Sequence, residues 1–305
     1  MIEFAKKPLF LAPMAGFSDP VFRKIVKKYG VDVTVSEMIS SNALVFENKK
    51  TLKMLEKDEL ERPYIVQIAG SDEEVLKKAV LLLNELDFID GIDFNCGCPV
   101  KKVIKQHSGS SLLRDLDKLK ACVSLIKTYS KKPLTSVKIR LGFDVENVCE
   151  IAKACEESGA DFISIHARTA KQMYSGNADY SCIKKAKEAL KIPLVANGDI
   201  DENNAAYVFE YTKADALMIG RASIGKPWIF YEIKHKKPIS KQMKKELILY
   251  HFDELIKHYD THALFVFKKH LHEYSKNEPN ASAFRTSINQ SKDYKEITTL
   301  IEEFF

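Results

Sequence analysis

Residues 193–222 read "PLVANGDIDENNAAYVFEYTKADALMIGRA", and their pattern indicates the fold class. Two short apolar runs, "PLVAN" and "ALMI", enclose a helix-patterned segment over 202–211, and a glycine follows each run. An apolar strand, a helix and a second apolar strand in succession are typical of a parallel βαβ unit, whose strands are covered on both faces. The stretch therefore predicts an α/β protein with a parallel sheet.

The same alternation extends outward from this unit toward the N-terminus. Six further β-rich runs precede it, each followed by a polar, helix-patterned segment: "LFLAPMAG", "VTVSEMI", "YIVQIAG", "IDFNCGCP", "TSVKIRLG" and "FISIHAR". Helices are predicted between them, among others over 72–84, 113–129 and 145–158. Eight units by about residue 235 match the (β/α)8 TIM barrel in number and in its typical length of about 250 residues. We therefore predict that residues 1–238 form such a barrel.

From residue 239 onward the pattern is helical throughout. The residues spaced for one buried face are Leu247, Ile248, Phe252, Leu255, Ile256 and Tyr259. We predict a small C-terminal all-helical domain over 239–305. From residue 240 it carries ten basic and ten acidic residues, so it has no net charge to attract a polyanion unspecifically.

Composition places broad limits on function. The 305 residues are 45% hydrophobic and 29% charged, which excludes a disordered chain, and the net charge of +5 suits a polyanionic partner without requiring one. The N-terminus has no signal-peptide pattern and no apolar run is long enough to span a bilayer, so we expect a cytoplasmic protein that does not bind membranes. The six scattered cysteines are expected to be reduced.

Two cysteines, Cys96 and Cys98, end the predicted strand "IDFNCGCP". A zinc site needs two further ligands with their own tight spacing, and none follow, so no metal is expected. A buried inert thiol is the favoured interpretation of Cys96. Cys98 differs because Gly97 allows close approach to a ligand and Pro99 fixes the turn that ends the strand, which leaves this thiol at the barrel mouth. Asn95 beside it can donate to and accept from a polar ring.

The last two predicted strands carry phosphate-binding signals. The segments "ANGDI" and "MIGRASIGKPW" each end a strand with glycine, in the two loops where barrels most often bind a phosphate. Arg221 adds a charged donor. Lys138 lies on the fifth predicted strand, where a buried lysine is costly unless an anion meets it. We expect a bound anion there or, alternatively, a salt bridge to Glu37 or Asp93.

Taken together, these motifs resemble the tRNA-dihydrouridine synthases, most closely the bacterial B-type subgroup. Nine segments appear in the family's order: "LAPMAGFSDPVFR", "VSEM", "VQIAGSD", "NCGCPVKKV", "GSSLL", "VKIRLG", "IHARTAKQMYSG", "ANGDI" and "ADALMIGRASIGKPWIF". The resemblance runs through the whole barrel and extends more weakly into the helical domain at "FKKHLHEY". One departure is Cys96, where the family usually has methionine.

The resemblance implies reduction of the C5=C6 bond of specific uridines in tRNA, with FMN bound across the barrel mouth and NADPH or NADH as electron donor. The cofactor-binding residues it implies are Pro13, Met14, Ala15, Gln67, Lys138, His166, Asn197, Gly198, Asp199, Gly220 and Arg221. Asn95, Arg140 and Tyr174 would orient the uracil, and Cys98 would be the catalytic proton donor. Further contacts with tRNA are predicted for Lys268, Lys269, His270 and Arg285. We expect a monomer.

Without the resemblance, the residues leave other functions open. A flavin barrel acting on a free pyrimidine would explain the mouth but would not need the helical domain. A non-redox phosphate-sugar isomerase or synthase would use the two phosphate loops without any flavin. A non-catalytic RNA-binding protein would leave the polar, charged and thiol side chains at the barrel mouth unexplained.

Overall fold

The computed structural model describes residues 2–46 and 49–305. The strands are β1 (Leu9–Leu11), β2 (Thr34–Val35), β3 (Ile39–Ser40), β4 (Tyr64–Ala69), β5 (Gly91–Asn95), β6 (Leu134–Arg140), β7 (Phe162–His166), β8 (Leu194–Asn197) and β9 (Ala216–Ile219). The α-helices are α1 (Pro20–Lys28), α2 (Ser41–Val45), α3 (Lys49–Lys53), α4 (Glu73–Asn84), α5 (Lys101–Ile104), α6 (Leu116–Tyr129), α7 (Val148–Glu157), α8 (Tyr180–Ala189), α9 (Ala205–Thr212), α10 (Ile229–His235), α11 (Lys241–Tyr259), α12 (Ala263–Tyr274), α13 (Ala281–Gln290) and α14 (Tyr294–Phe304).

Eight of these strands form a parallel barrel in the order β1, β2, β4, β5, β6, β7, β8 and β9. β1 pairs with β9 in the register Leu9 to Leu217, and a parallel bridge from Phe10 to Val33 joins β1 to the segment that leads into β2. The short β3 pairs with the end of β4. This topology confirms the predicted (β/α)8 barrel, and each of the eight predicted runs supplies one barrel strand.

The helices between the strands pack outside the barrel and begin at defined caps. The helix predicted over 72–84 is α4, whose N-terminus is capped because the Asp72 carboxylate accepts a hydrogen bond from the Val75 N–H at 2.9 Å. The helix predicted over 202–211 begins later, at Ala205. Its start is delayed because the Asp201 carboxylate accepts hydrogen bonds from the N–H groups of the two asparagines at 203 and 204, which forms a turn first.

The lumen of the barrel changes from apolar to polar along its axis. At the amino ends of the strands, the rings of Phe4, Phe10 and Phe162 pack with centroids between 5.5 and 6.3 Å apart and form a floor. Alternate residues of a strand face the same side, so β7 presents Phe162, then Ser164, then His166 from floor to mouth. The polar end is therefore the carboxyl end, where barrel enzymes build their sites.

The C-terminal helices share a hydrophobic cluster with the barrel. Four of the six residues predicted for the buried face of α11 are buried, and Ile256 and Tyr259 are partly buried. Val21 and Ile25 of α1, together with Trp228 before α10, belong to the same cluster. The helical domain is therefore packed on the barrel through α1. Among the described helices, none has the length and apolarity needed to cross a membrane.

A buried ion pair supports the first βα unit. Arg23 of α1 donates from Nε to the Glu61 carboxylate at 2.7 Å, and both side chains have no exposed surface. Removing one partner of a buried pair leaves an uncompensated charge, which typically costs about 3–5 kcal/mol. We therefore expect Glu61→Gln to lower the free energy of unfolding by about that amount in urea denaturation followed by circular dichroism.

The matched control is Glu3→Gln, which removes one partner of the Lys6–Glu3 pair, where both side chains are more than half exposed. Solvent screens such a pair, so the urea midpoint of this variant should equal that of the wild type. Equal midpoints for both variants would show that the Arg23–Glu61 pair does not stabilise the fold.

Candidate active site

Cys98 lies in a turn that begins where β5 ends. The side-chain oxygen of Asn95 accepts hydrogen bonds from the N–H groups of Gly97 at 3.2 Å and Cys98 at 2.9 Å. On the other side, the Ser110 N–H donates to the Cys98 carbonyl at 3.0 Å. Gly109 packs so closely that an added Cβ would lie 2.9 Å from that carbonyl oxygen. The turn that carries the thiol is therefore held from both sides.

A chain of buried hydrogen bonds fixes the orientation of Asn95. Ser136 donates to one oxygen of Asp93 at 2.6 Å, and the other oxygen accepts from the Gln67 amide at 2.7 Å. Gln67 in turn accepts from the Asn95 amide at 2.8 Å. Burial raises the pKa of Asp93, and the hydrogen bonds from Gln67 and Ser136 oppose this shift. With its oxygen accepting two bonds, Asn95 keeps one N–H for a ligand.

The two neighbouring thiols have opposite environments. Cys96 has no exposed surface, and burial raises its pKa well above the usual range, with Cys155 and Cys122 nearby. Cys98 is partly exposed at the mouth. All six cysteines are free. Over residues 2–46 and 49–305, no three His, Cys, Asp or Glu side chains form a group that could hold a metal ion.

Lys138 of β6 points its amine into the polar part of the lumen. Nζ donates to the Asn197 side-chain oxygen at 2.9 Å, and the Asn197 amide donates to the Met218 carbonyl at 2.7 Å. Among the described residues, neither Glu37 nor Asp93 forms an ion pair with Lys138, so the alternative of a salt bridge is not found. Burial lowers the pKa of Lys138 to about 8, and the nearby Arg140 charge adds to this effect.

His166 ends β7 beside the half-exposed ring of Tyr174, with the ring centroids 6.3 Å apart in a T-shaped arrangement. Its Nδ1 is buried and has no hydrogen-bond partner among the described residues. Burial lowers the pKa of His166 to about 2, and the charges of Lys138 and Arg140 act in the same direction. Burial and the neighbouring positive charges thus disfavour the charged form of His166, and its unpartnered Nδ1 is available to a ligand. The Arg221 guanidinium lies 4.5 Å from the centroid of the Tyr174 ring.

Arg140 joins the Cys98 turn to the loop that carries Tyr174. Its Nε donates to the Gly97 carbonyl at 2.8 Å, and its Nη1 donates to the carbonyls of Thr169 at 2.9 Å and Met173 at 2.8 Å. The guanidinium lies 5.6 Å from the Tyr174 ring centroid. Two of its three nitrogens are thus used on the backbone, and a contact with uracil remains a prediction for its Nη2.

The loops after β8, β9 and β1 meet at the mouth. Gly198 has φ +119°, and an added Cβ would lie 3.3 Å from the Ala167 nitrogen. Gly220 faces the β1–α1 loop, where an added Cβ would lie 3.7 Å from the sulfur of Met14. The predicted cofactor residues of this loop are partly exposed or exposed, in the order Pro13, Met14 and Ala15. The approach of Gly220 to Met14 joins the loops after β9 and β1, and the Arg221–Asp199 ion pair joins the loops after β9 and β8, so the three loops border one opening.

Asp199 links two arginines across the last loops. Its carboxylate accepts from Arg221 at 2.6 Å and from the almost fully buried Arg168, whose hydrogen bond is the main cause of the lowered pKa of Asp199. Arg168 also donates to the carbonyls of Ser175 at 3.0 Å and Gly176 at 2.6 Å, while its buried Nη1 has no partner in the described part of the chain.

The sequence analysis did not predict Arg168 as a residue of the site. Its position two residues after the strand end "ISIH" could have indicated that it lies at the barrel mouth.

Two of the predicted tRNA contacts are engaged within the helical domain. Lys268 donates to the carbonyls of Asn289 at 3.1 Å and Ser291 at 2.7 Å, so it caps the end of α13. Arg285 donates from Nε to the Ser275 hydroxyl at 3.0 Å. Both side chains are partly exposed, and their contacts with tRNA stay predictions.

The other two predicted tRNA contacts turn toward the barrel. Lys269 donates to the Gly16 carbonyl in the β1–α1 loop. His270 has no exposed surface and packs at 5.5 Å from the rings of both Phe17 and Phe22. A fully buried ring cannot reach a phosphate, so the prediction that His270 contacts tRNA is wrong. The four residues do not form one exposed group.

The comparison with known proteins agrees with these motifs. The sequence profile of the family described as Dihydrouridine synthase (Dus) matches residues 10–305. A probable tRNA-dihydrouridine synthase of Helicobacter pylori (strain J99) is 46% identical over 303 residues, which cover 98% of this chain and 92% of the relative. A tRNA-dihydrouridine synthase B of Shewanella oneidensis is 37% identical over 311 residues, which cover 98% and 96%.

Solved structures share the barrel at much lower identity. The old yellow enzyme from Trypanosoma cruzi superimposes with a TM-score of 0.56 at 8% identity, covering 76% of this chain and 89% of that chain. An old yellow enzyme homologue from Zymomonas mobilis gives a TM-score of 0.53 at 13% identity, covering 78% and 91%. These two similarities concern the fold. Because the sequence profile spans nearly the whole chain and the relatives align from end to end, the chain belongs to the dihydrouridine synthase family.

Proposed function

We propose that this protein is a tRNA-dihydrouridine synthase that reduces the C5=C6 bond of particular uridines in tRNA, with FMN as cofactor and NADPH as reductant. The observation that carries the proposal is the partly exposed Cys98 thiol at a polar barrel mouth whose Lys138 amine has no anionic partner among the described residues. Relatives that bear the name of this activity align over 98% of the chain.

The residues at the mouth fit an anionic ligand with a polar ring edge, such as FMN. Buried polar atoms without a partner among the described residues include Ser164 Oγ, His166 Nδ1 and Arg168 Nη1. Lys138 adds a buried amine, and an anion beside it would favour the charged form of that amine and offset the lowering of its pKa by burial. Arg221 and the glycine-ended strands β8 and β9 suit a terminal phosphate.

The groups that would hold FMN fall into two sets. Lys138 would bind the polar edge of the ring system, which Pro13, Met14 and Ala15 would cover. Gln67, predicted for the same edge, has no exposed surface and bonds to Asp93 and Asn95, so we propose that it orients Asn95. His166, Asn197, Gly198, Gly220 and Arg221 would surround the phosphate, with Asp199 orienting Arg221. When bound, reduced FMN supplies the hydride that adds to C6 of the uracil ring.

Cys98 is the proton donor in this proposal. Its thiol protonates C5, so one hydride and one proton saturate the double bond, and the thiolate left behind regains a proton from solvent at the open mouth. A thiol can act as a general acid because its S–H carries a proton that it can transfer to the substrate. Arg140 and Asn95 hold the backbone before the thiol, and the Ser110 N–H holds the Cys98 carbonyl after it, so the position of the thiol is fixed.

The uracil would be oriented by the free N–H of Asn95 and covered by the half-exposed ring of Tyr174. A uridine inside the folded tRNA cannot reach a recessed mouth while it is stacked, so it would have to be flipped out. The partly exposed Lys268 and Arg285 of the helical domain are proposed as contacts to tRNA phosphates. Such contacts would weaken as salt concentration rises.

The purified protein should be yellow and should release FMN on heating.

Because a hydrogen bond to a charged group is typically worth about 1.5–3 kcal/mol, we expect Arg221→Met to weaken FMN binding at least about tenfold. Riboflavin, which lacks the phosphate, should bind this variant and the wild type equally. Fluorescence titration of flavin-free protein measures both affinities.

The control for this experiment is Arg114→Met, which removes an exposed arginine that packs on Phe143 outside the two phosphate loops. It should bind both flavins as the wild type does. A protein that takes up no FMN would overturn the proposed cofactor, and equal losses for FMN and riboflavin in Arg221→Met would overturn the role of Arg221 at the phosphate.

Substitution of each thiol by alanine separates their roles. Because general acids typically contribute about 10²–10⁴-fold, Cys98→Ala should lose at least about that factor in dihydrouridine formation while NADPH oxidation by the bound flavin continues. Cys96→Ala makes the same chemical change in the core, so it should lower thermal stability and keep near-normal activity. Dihydrouridine in tRNA and the NADPH absorbance are measured in parallel. Equal losses of activity in the two variants would contradict the assignment of Cys98.

A further inference from the structure

Lys269 connects the helical domain to the loop between β1 and α1. Its amine donates to the Gly16 carbonyl and lies 5.1 Å from the centroid of the Phe17 ring. The neighbouring ring of His270 packs against the same phenylalanine in a T-shaped arrangement. Helix α12 therefore covers the outer side of this loop with one cation and one buried ring.

The same loop is anchored from the barrel side. The Gly16 N–H donates to the Glu37 carboxylate. The Met14 N–H donates to the Ser18 hydroxyl at 2.8 Å, and the Met14 carbonyl accepts from the N–H groups of Phe17 and Ser18, both at 2.9 Å. Gly16 has φ +79°, a conformation that favours glycine. The loop is thus a tight turn whose Gly16 peptide groups are bound from two sides.

The half-buried position of the Lys269 amine costs hydration free energy. Burial lowers the pKa of Lys269, and the carboxylates of Asp19 and Glu37 oppose this shift. Lysine normally extends its charge into water. Here the half-buried Lys269 amine instead donates to one backbone carbonyl of the loop that contains Pro13 to Ala15.

We infer that Lys269 is a positioning residue for the cofactor: it fixes the β1–α1 loop so that Pro13, Met14 and Ala15 keep the geometry needed to cover the flavin ring. The identity of the ligand rests on the proposed function, whereas the clamp itself rests on the contacts described above. The helical domain therefore takes part in building the cofactor site.

The test uses Lys269→Met in the full-length protein, which keeps most of the side-chain stem and removes the donor and its charge. In flavin-free protein, hydrogen exchange of the peptide over 13–18 should become faster by about tenfold, because a charged hydrogen bond to the loop is lost. FMN titrated into the same protein should bind about tenfold more weakly, and the visible circular dichroism of the bound flavin should change. Lys269→Arg should restore part of the affinity.

The matched control is Lys276→Met, which removes an exposed lysine just beyond the end of α12. Lys276 pairs with Glu273 and not with the loop, so neither loop exchange nor FMN affinity should change. Wild-type affinity and exchange in Lys269→Met would overturn the inference, as would equal losses in the two variants, which would indicate general loosening of the domain. If the wild type binds no FMN, the proposed function and the role toward the cofactor both fail, while loop exchange still decides whether the clamp exists.

Discussion

The enclosed amine of Lys138 is the charge around which the barrel mouth is arranged. It sits on the strand layer between the phenylalanine floor and the solvent, and its pKa is lowered to about 8 because water is partly excluded. At neutral pH the amine remains charged, and that charge is met by the side-chain oxygen of Asn197, which is itself oriented by the Met218 carbonyl. While the amine is charged, the folded state therefore bears a desolvation cost that a bound anion would lower.

The hydrogen bonds that organise the mouth also limit what it can recognise. Asn95 was predicted to donate to and accept from a polar ring, but its oxygen is used by the Gly97 and Cys98 N–H groups. What it can still offer is one N–H, which suits a carbonyl oxygen of uracil. Arg140 is similarly committed, since it holds the backbone on either side of the opening. Most of the hydrogen-bonding groups of Asn95 and Arg140 therefore position the backbone, and only a few remain for a ligand.

The barrel could be predicted from the sequence because its strands are continuous apolar runs with polar and glycine residues at one end, and every run became a strand. The same local pattern also led to Cys98 and Lys138, since the carboxyl end of a parallel strand has a fixed location in the fold. The interface between the two domains could not be predicted in this way. Lys268, Lys269 and His270 are adjacent in sequence, yet one caps α13, one reaches Gly16 and one is buried. The side chains of three consecutive helical residues point in three directions. Which of them reaches solvent depends on the elements packed around the helix, and the local sequence does not show those elements.

The shared cluster around α1 explains why the helical domain can influence the β1–α1 loop. Val21 and Ile25 pack with the C-terminal helices, while Phe22 and Val26 of the same helix pack with the barrel. Helix α1 is therefore packed against both the barrel and the C-terminal helices. This packing also fixes the C-terminal end of the β1–α1 loop, which leads into the helix. Lys269 adds a second constraint in the middle of the loop. A boundary at residues 238 and 239 marks a change in sequence pattern, but the packing passes across it. Removing the helices would expose the apolar side of α1 and release the loop at once, so the proposed cofactor site depends on contacts that the helical domain makes.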